Sequence, residues 1–225
     1  MSGVLVTGTD TGVGKTFVAC ALAHALRARG RTVAVMKPVE TGVSDRPEDA
    51  IALRDAAADP APLDDVCPYR LRLPLAPAVA ARLEGVTIDL ARLEALVRRR
   101  LDAADVLVVE GAGGLLVPIA DSVTYADLAA RLRLPLVVVA ANRLGTVNHC
   151  ALTARVAAAT GLRVLGVVLS QPAPERDLSA GTNAHTIAAL TGLPILGELP
   201  HLDDPVAAAA VLHLPVSLAE PPKES

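Results

Sequence analysis

The chain has 225 residues, a formal net charge of −3 and 52% hydrophobic residues, so it can bury a substantial core and is not a disordered chain. Its weak negative charge, with only Phe17, Tyr69 and Tyr125 as aromatic residues, excludes the basic, base-stacking surface of a nucleic-acid-binding protein. The apolar runs are too short to span a bilayer, so we expect a cytoplasmic protein with no membrane partner. We expect residues 1–225 to form one domain, with 217–225 as a frayed tail.

Short apolar segments alternate along the chain with helical segments rich in Ala, Leu and Arg. The predicted elements, in chain order, are a strand at VLVTG, a helix at 15–29, strands at TVAVMKP and VLVVEGAGG, a helix at 124–132, a strand at LPLVVVAAN, a helix at 146–160, a strand at RVLGVVLS, a helix at 181–191 and a strand at PILGELP. Pro- and Asp-rich stretches predict loops at 43–49, 59–68 and 172–179. Almost uninterrupted apolar strands indicate burial on both faces. The predicted fold class is therefore α/β, a doubly wound and mainly parallel sheet with helices on both faces.

A glycine-rich segment, GTDTGVGKT, joins the first strand to the first helix and runs from Gly8 to Thr16. It ends in the GKT of a phosphate-binding loop, with one residue more than the usual spacing. Gly12 and Gly14 allow backbone N–H groups to turn toward an anion, and the helix start adds its dipole. We expect Lys15 to reach the β- and γ-phosphates and Thr16 to offer its hydroxyl to Mg²⁺. The alternative is a glycine-rich turn that only connects two elements.

Lysine is scarce in this chain, because only Lys15, Lys37 and Lys223 are lysines among 21 basic residues. Lys37 follows the second strand, in the segment KPVETG, and should lie beside the phosphate-binding loop because ligands bind at the carboxyl ends of parallel strands. An ammonium differs from a guanidinium in reach and in its ability to titrate, so lysine at this place indicates a chemical requirement. We expect Lys37 to contact the γ-phosphate or a substrate anion. The alternative is a solvated charge at a strand end.

Carboxylates that follow the strands are candidate metal ligands. Glu110 ends a buried strand and precedes the glycines of GAGG, where it could hold Mg²⁺ opposite Thr16, directly or through water. The alternative for Glu110 is an acidic strand terminus before a flexible turn. Asp45, Glu48 and Asp49 follow the second strand, and spacing alone does not choose among them as a further ligand.

The segments GTDTGVGKT, KPVETG, EGAGG and RLGTVNH, in this order and at these separations, resemble the dethiobiotin synthetase family over nearly the whole chain. The resemblance implies a cyclo-ligase that carboxylates 7,8-diaminononanoate with CO₂, phosphorylates the carbamate with ATP and Mg²⁺, and closes a cyclic urea. It implies positioning and charge neutralisation rather than a nucleophilic residue of the protein.

The resemblance assigns a role to each matching residue. Lys15 and Lys37 would be the catalytic residues, and Lys37 would steady the carbamate and the transferring phosphoryl group. The implied Mg²⁺ ligands are Thr16, Asp49 and Glu110, with Asp49 favoured because EDAIAL matches the family pattern. The implied nucleotide-binding residues are Gly12, Val13, Gly14, Lys15, Thr16, Phe17, Asp49, Glu110, Gly111, Ala112, Gly113, Ser170, Gln171, Pro200, His201 and Leu202. The implied substrate-binding residues are Thr11, Lys37, Thr41, Leu144, Gly145, Thr146 and Asn148.

The resemblance also implies a homodimer, in which a helix start at 144–148 of one subunit binds the carboxylate of the diamino acid in the partner's site. Three positions depart from the family pattern: Gly12 replaces an acid found in some members, Arg143 replaces a lysine, and Ser170 stands where an Asn-Asp pair often reads adenine. Base recognition would then rest on backbone groups around 200–202. We predict looser discrimination among nucleoside triphosphates than in an Asn-bearing member.

Two alternative functions share parts of this pattern. A partition- or septum-type switch ATPase has the same fold, but that class usually carries a second lysine early in the loop, where this chain has Asp10. A synthetase or amidotransferase that activates another carboxylate would normally need a glutaminase domain, for which the chain has no room.

Overall fold

The computed structural model describes residues 2–175 and 177–219. The strands, in chain order, are β1 (Ser2–Gly8), β2 (Val33–Met36), β3 (Val39–Thr41), β4 (Tyr69–Leu71), β5 (Val106–Gly114), β6 (Pro118–Ala120), β7 (Val123–Thr124), β8 (Leu136–Ala141), β9 (Val164–Ser170) and β10 (Ile195–Leu199). The helices are α1 (Lys15–Arg27), α2 (Glu48–Ala57), α3 (Leu63–Val66), α4 (Pro77–Glu84), α5 (Leu90–Asp102), α6 (Tyr125–Leu132), α7 (Thr146–Ala159), α8 (Ala180–Thr191), α9 (Pro205–Ala209) and α10 (Val216–Ala219).

Six parallel strands form the central sheet, in the order β10-β9-β8-β1-β5-β2. The chain runs from β1 to the edge strand β2, returns to place β5 between β1 and β2, and then adds β8, β9 and β10 in turn on the other side of β1. This arrangement places a topological switch point beside β1, where open parallel sheets bind their ligands. The predicted doubly wound α/β fold is confirmed.

The two faces of the sheet bury separate cores, as the alternation of side chains along β1 illustrates. Val4 and Val6 pack on one face with α1, α2 and α9, whereas Leu5 packs on the other face with α4, α5 and α6. Helices α7 and α8 cover β8 and β9 through a smaller cluster around Cys150 and Ile187. Because both faces are covered, the strands read as continuous apolar runs.

The predicted helices at 15–29, 124–132, 146–160 and 181–191 correspond to α1, α6, α7 and α8, with ends shifted by one or two residues. Two predicted loops were wrong in part. The segment 43–49 already contains the start of α2 at Glu48, and 59–68 contains α3. The acidic pair at the start of α2 favours a helix there because it complements the helix dipole.

The end of the chain is packed further than expected. Residues 217–219, placed in the predicted tail, belong to α10, and Leu218 is buried in the core on the α1 face. Residues 220–225 of that tail lie outside the described residues. In the part of the chain that the structure describes, no helix is both long enough and apolar enough to cross a membrane.

Candidate active site

The phosphate-binding loop connects β1 to α1 at the switch point. Gly12 and Gly14 have φ angles of 71° and 81°, a left-handed conformation that glycine adopts without steric cost. Gly14 is the residue before α1, so the free N–H groups of the helix start face the loop. Lys15 folds back over this loop, and its Nζ donates to the carbonyl oxygen of Asp10 at 3.3 Å. The loop therefore has the glycine conformations and the lysine of a phosphate cradle.

Lys37, one residue beyond the end of β2, lies between two carboxylates. Its Nζ donates to Oε1 of Glu110 at 2.6 Å and to Oδ2 of Asp49 at 2.7 Å. The Thr16 hydroxyl donates to the same Glu110 oxygen at 2.8 Å. Four predicted residues from four different elements or strand ends thus meet around one point.

The charges of this cluster are coupled. Burial lowers the pKa of Lys37, but the carboxylates of Glu110 and Asp49 outweigh burial and raise it above its usual value. Burial raises the pKa of Asp49, but the charge and hydrogen bond of Lys37 outweigh burial and the net pKa is lowered. The pKa of Lys15 is lowered, mainly by burial. Lys37 is therefore a cation at neutral pH, suited to neutralising charge and unsuited to accepting a proton.

Glu40 holds Asp49 in place. The two oxygens of its buried carboxylate accept the backbone N–H groups of Asp49 at 3.2 Å and Ala50 at 2.9 Å, in the first turn of α2. Burial raises the pKa of Glu40, against the lowering effect of the Ala50 hydrogen bond. Sequence reasoning assigned no role to Glu40, although its place between Lys37 and Thr41 in KPVETG was a usable signal.

The donor set around Glu110 fits a hard divalent cation such as Mg²⁺. Thr16, Asp49 and Glu110 offer a hydroxyl and two carboxylates, which are the oxygen ligands that Mg²⁺ prefers. Oε2 of Glu110 is buried and has no hydrogen-bond partner among the described residues, so one acceptor is uncommitted. Within residues 2–175 and 177–219 no cluster has three or more His, Cys, Asp or Glu ligands. Water and nucleotide phosphates would complete the coordination, as is usual for Mg²⁺.

A cavity of about 490 Å³ contains this cluster. It brings together most of the residues predicted for phosphate, metal and substrate: Thr11, Gly12, Gly14, Lys15, Thr16, Phe17, Lys37, Thr41, Asp49, Glu110, Ala112 and Gly113, together with Glu40 and Pro172. Gly111 is buried instead, and a Cβ at this position would lie 3.4 Å from the ring of Tyr125. Gly111 thus packs closely on α6, and its role in nucleotide binding stays a prediction.

An adjoining cavity of about 240 Å³ contains the residues predicted near the base. It is lined by Gly14, Phe17, Ser170, Gln171, Pro172, Leu199, Pro200, His201, Leu202 and Asp203. Ser170 is buried, and its hydroxyl donates to the carbonyl oxygen of Val13 at 2.5 Å. This bond occupies the hydroxyl proton with the phosphate-binding loop. Val13 is itself buried, so it contributes backbone groups and packing to the loop.

The residues predicted to bind the substrate carboxylate lie elsewhere in the same chain. Leu144, Gly145 and Asn148 are exposed at the start of α7, and none of them lines the 490 Å³ cavity. Thr146 differs from the expectation, because its side chain is buried, its hydroxyl lies 4.0 Å from Sγ of Cys150, and its N–H donates to the carbonyl of Arg143. In this chain Thr146 stabilises the helix start.

The parallel sheet, the switch-point loop and the lysine-carboxylate cluster together define an enzyme of the P-loop nucleotide-binding class. Residues 2–209 match a family model described as an AAA domain. The chain is 49% identical over 213 residues to the ATP-dependent dethiobiotin synthetase BioD of Anaeromyxobacter dehalogenans strain 2CP-C, covering 94% of this chain and 96% of that relative. It is 43% identical to the enzyme of the same name from Aromatoleum aromaticum, with coverage of 93% and 96%. The chain belongs to the ATP-dependent dethiobiotin synthetase family.

Among solved structures, the MinC:MinD cell division protein complex of Aquifex aeolicus aligns with a TM-score of 0.59 over 96% of this chain and 88% of that one, at 14% identity. An identity this low shows a shared fold alone. The predicted family and the ATP-dependent ligase class are confirmed by the relatives, whereas the switch-ATPase alternative has only the fold in its favour.

Proposed function

We propose that this chain converts 7,8-diaminononanoate and CO₂ to dethiobiotin, with cleavage of ATP to ADP and phosphate. The observation that carries the proposal is the meeting of Lys15, Lys37, Asp49 and Glu110 in one cavity, in a chain of this family. We further propose that residues 1–225 act as one domain, because the six strands of the sheet come from both ends of the chain.

The phosphate-binding loop would hold the nucleotide. Its glycine N–H groups and the start of α1 bind the phosphates, and Lys15 reaches the β- and γ-phosphates. Thr16, Asp49 and Glu110 are the proposed ligands of Mg²⁺, which would neutralise the negative charge that develops on the phosphates. Since three side chains from separate elements supply the ligands, this set is assembled only in the folded chain.

Lys37 would stabilise the transferring phosphoryl group. The carbamate oxygen attacks the γ-phosphorus, the bond from that phosphorus to the bridging oxygen breaks, and ADP leaves. The second amine of the substrate then attacks the carbamoyl carbon, and phosphate leaves as the ring closes. Lys37 has three N–H donors, of which Asp49 and Glu110 take two, so one donor is free for a substrate oxygen. The chemistry needs positioning and charge more than a protein nucleophile.

Thr11 and Thr41 line the same cavity as Lys37, which supports their role as contacts of the diamine or its carbamate. The substrate carboxylate would be bound by 144–148 of a partner subunit in a homodimer. Two features support this assignment. The start of α7 is exposed, with Leu144 at 81% exposure, and uncapped N–H groups at a helix start favour a carboxylate.

Product identity tests this proposal directly. The chain is incubated with ATP, Mg²⁺, the diamine and ¹³C-labelled bicarbonate, and the organic product is identified by mass spectrometry. The proposal predicts a cyclic urea that carries the label, at a greatly reduced rate in Lys37→Ala and at the parent rate in Arg54→Ala, a partly exposed residue of α2 that does not line the cavity. Recovery of unreacted diamine alongside ADP would count against it.

A further inference from the structure

A second large cavity, of about 520 Å³, lies at the opposite end of β2 from Lys37. We call it the basic cavity, defined by Arg27, Arg31, Arg100 and Asp59. None of its lining residues lines the active-site cavity. Because β2 spans Val33–Met36 and a strand rises about 3.3 Å per residue, roughly 13 Å of strand separates the two sites.

The charge of the basic cavity is unbalanced. Three arginines face one aspartate among its lining residues, which leaves a formal excess of two positive charges. Asp59 is already committed, because its carboxylate accepts Arg100 Nη2 and the backbone N–H groups of Val35 and Ala61. Among the described residues this carboxylate forms an ion pair with Arg100, and none with Arg27 or Arg31.

Two buried donors in this lining have no acceptor. The Nε–H groups of Arg31 and Arg100 are both buried, and neither meets a hydrogen-bond partner among the described residues. Arg100 is only 6% exposed, so its guanidinium is held in place by the surrounding structure. Buried N–H groups in folded proteins nearly always have a partner, which can be a protein group, ordered water or an ion.

Part of this arrangement has a structural explanation. β2 is an edge strand, and Asp59 and Arg100 bind the N–H and the C=O of Val35, so this buried pair covers the open edge. That role uses Asp59 and Nη2 of Arg100. Arg27 donates from Nη1 to the carbonyl oxygen of Ala56 near the end of α2 at 3.1 Å. The two orphaned Nε–H groups, of Arg31 and Arg100, stay unexplained, and both residues line the same concave space.

We propose that the basic cavity binds a compact anion carrying a phosphate or carboxylate group. Planar guanidinium groups present paired donors that match both kinds of oxygen. The concave shape and the size of the cavity suit a small molecule rather than a protein surface or a polymer. This site is separate from the nucleotide site and depends on no step of the proposed reaction.

The test is isothermal titration of inorganic phosphate, and separately of succinate, into the full chain saturated with ADP and Mg²⁺ so that the phosphate-binding loop is occupied. We expect binding of one anion per chain, weakened at least about tenfold in Arg27→Gln and in Arg31→Gln. Arg29→Gln is the matched control, because Arg29 is exposed on the turn after α1 but does not line the cavity. Binding of phosphate alone, of succinate alone or of both supports the proposal when Arg27→Gln and Arg31→Gln weaken it and Arg29→Gln does not, and it identifies the anion.

Two results would overturn the proposal. One is the absence of any heat of binding for either anion at concentrations on the order of tens of millimolar, where even weak surface contacts between charges are screened. The other is equal weakening of binding in Arg29→Gln and Arg31→Gln. The second would mean that the anion responds only to the overall charge of the chain. Arg27→Gln keeps the test valid if Arg31→Gln does not fold, because Arg27 is exposed.

Discussion

The Nζ of Lys37 lies 2.6 Å from Oε1 of Glu110, and the exposed fractions of the two side chains are 5% and 0%. Asp49, on the other side of Lys37, has a side chain that is 45% exposed. Lys37 thus compensates a fully buried carboxylate and a half-exposed one at the same time. Lys37 and a bound metal ion would therefore share the negative charge of both carboxylates.

The two active-site lysines should differ when each is replaced by alanine. Lys37→Ala is predicted to leave Mg-nucleotide binding largely intact and to lower kcat by about a hundredfold or more, because it removes charge stabilisation of the transition state. Lys15→Ala should weaken both nucleotide binding and kcat, because it contacts the phosphates in the ground state as well. Nucleotide titration and steady-state kinetics of both variants check this. An equal loss of nucleotide binding in the two would contradict the division of roles.

Glu40 is predicted to act through Asp49. Glu40→Gln exchanges one carboxylate oxygen for an N–H₂ group and so loses a hydrogen bond to the first turn of α2, which holds Asp49. We expect activity to fall about 10- to 100-fold, as for other groups that orient a metal ligand, with a higher Mg²⁺ requirement. Glu48→Gln is the control, because Glu48 is an exposed acid in the same turn. If raising the Mg²⁺ concentration restores nothing, Glu40 does not act through the metal ligand.

Nucleotide selectivity should be loose, because the Ser170 hydroxyl donates to the loop carbonyl of Val13 and not to a base. The ratio of kcat/KM for ATP to that for CTP or GTP is expected to stay below about a thousandfold, since a site without a dedicated base-reading group discriminates weakly. Ser170→Ala should lower kcat/KM for all three nucleotides by a similar factor. A preference of a thousandfold or more for ATP would refute this prediction.

The charge of the lysine cluster should be constant over a wide pH range. The pKa of Lys37 is raised above 10.5, so its stabilising contribution is fully present below pH 10.5 and is lost only as pH rises through the higher folded value. The pKa of Asp49 is lowered below 3.8, so its contribution is present above pH 3.8 and is lost as pH falls through the folded value.

Denaturant unfolding of the parent and of the double variant Lys37→Met/Glu110→Gln, which leaves no unpaired buried charge, at a series of pH values measures this window. The difference in free energy of unfolding should stay level between about pH 5 and pH 9, because neither pKa lies within that range. A step in the difference near neutral pH would mean that Lys37 titrates there, contrary to the pairing with Glu110.

The phosphate-binding loop was predictable from sequence because its chemistry is local. Gly12, Gly14, Lys15 and Thr16 lie within five consecutive residues, and the turn needs glycine wherever φ is positive. The strands were predictable because double-sided burial leaves long apolar runs. For Lys37 and Glu110, the sequence predicted only that the two residues lie near each other. The distance between them depends on how β2 and β5 are aligned.

The secondary structure of the segment 48–105 was not predictable in the same way. The contacts of single polar side chains were not predictable either. The hydroxyl of Ser170 meets Val13 across 157 positions of sequence, and nothing local to either residue signals that contact. The carboxylate of Glu40 could equally have faced solvent, and its bonds to α2 follow from a short connection that sequence patterns had indicated as a loop. Long-range contacts and helix starts inside Pro-rich segments are decided by tertiary packing.

In the proposed reaction, ATP cleavage is coupled to ring closure of a diamine. The most direct measurement is phosphate release from ATP and Mg²⁺ with bicarbonate, with and without 7,8-diaminononanoate, alongside the yield of cyclic urea. We predict that phosphate release requires the diamine and that the amount of phosphate released equals the amount of cyclic urea formed. Phosphate release at the same rate without the diamine would contradict it and favour a switch ATPase.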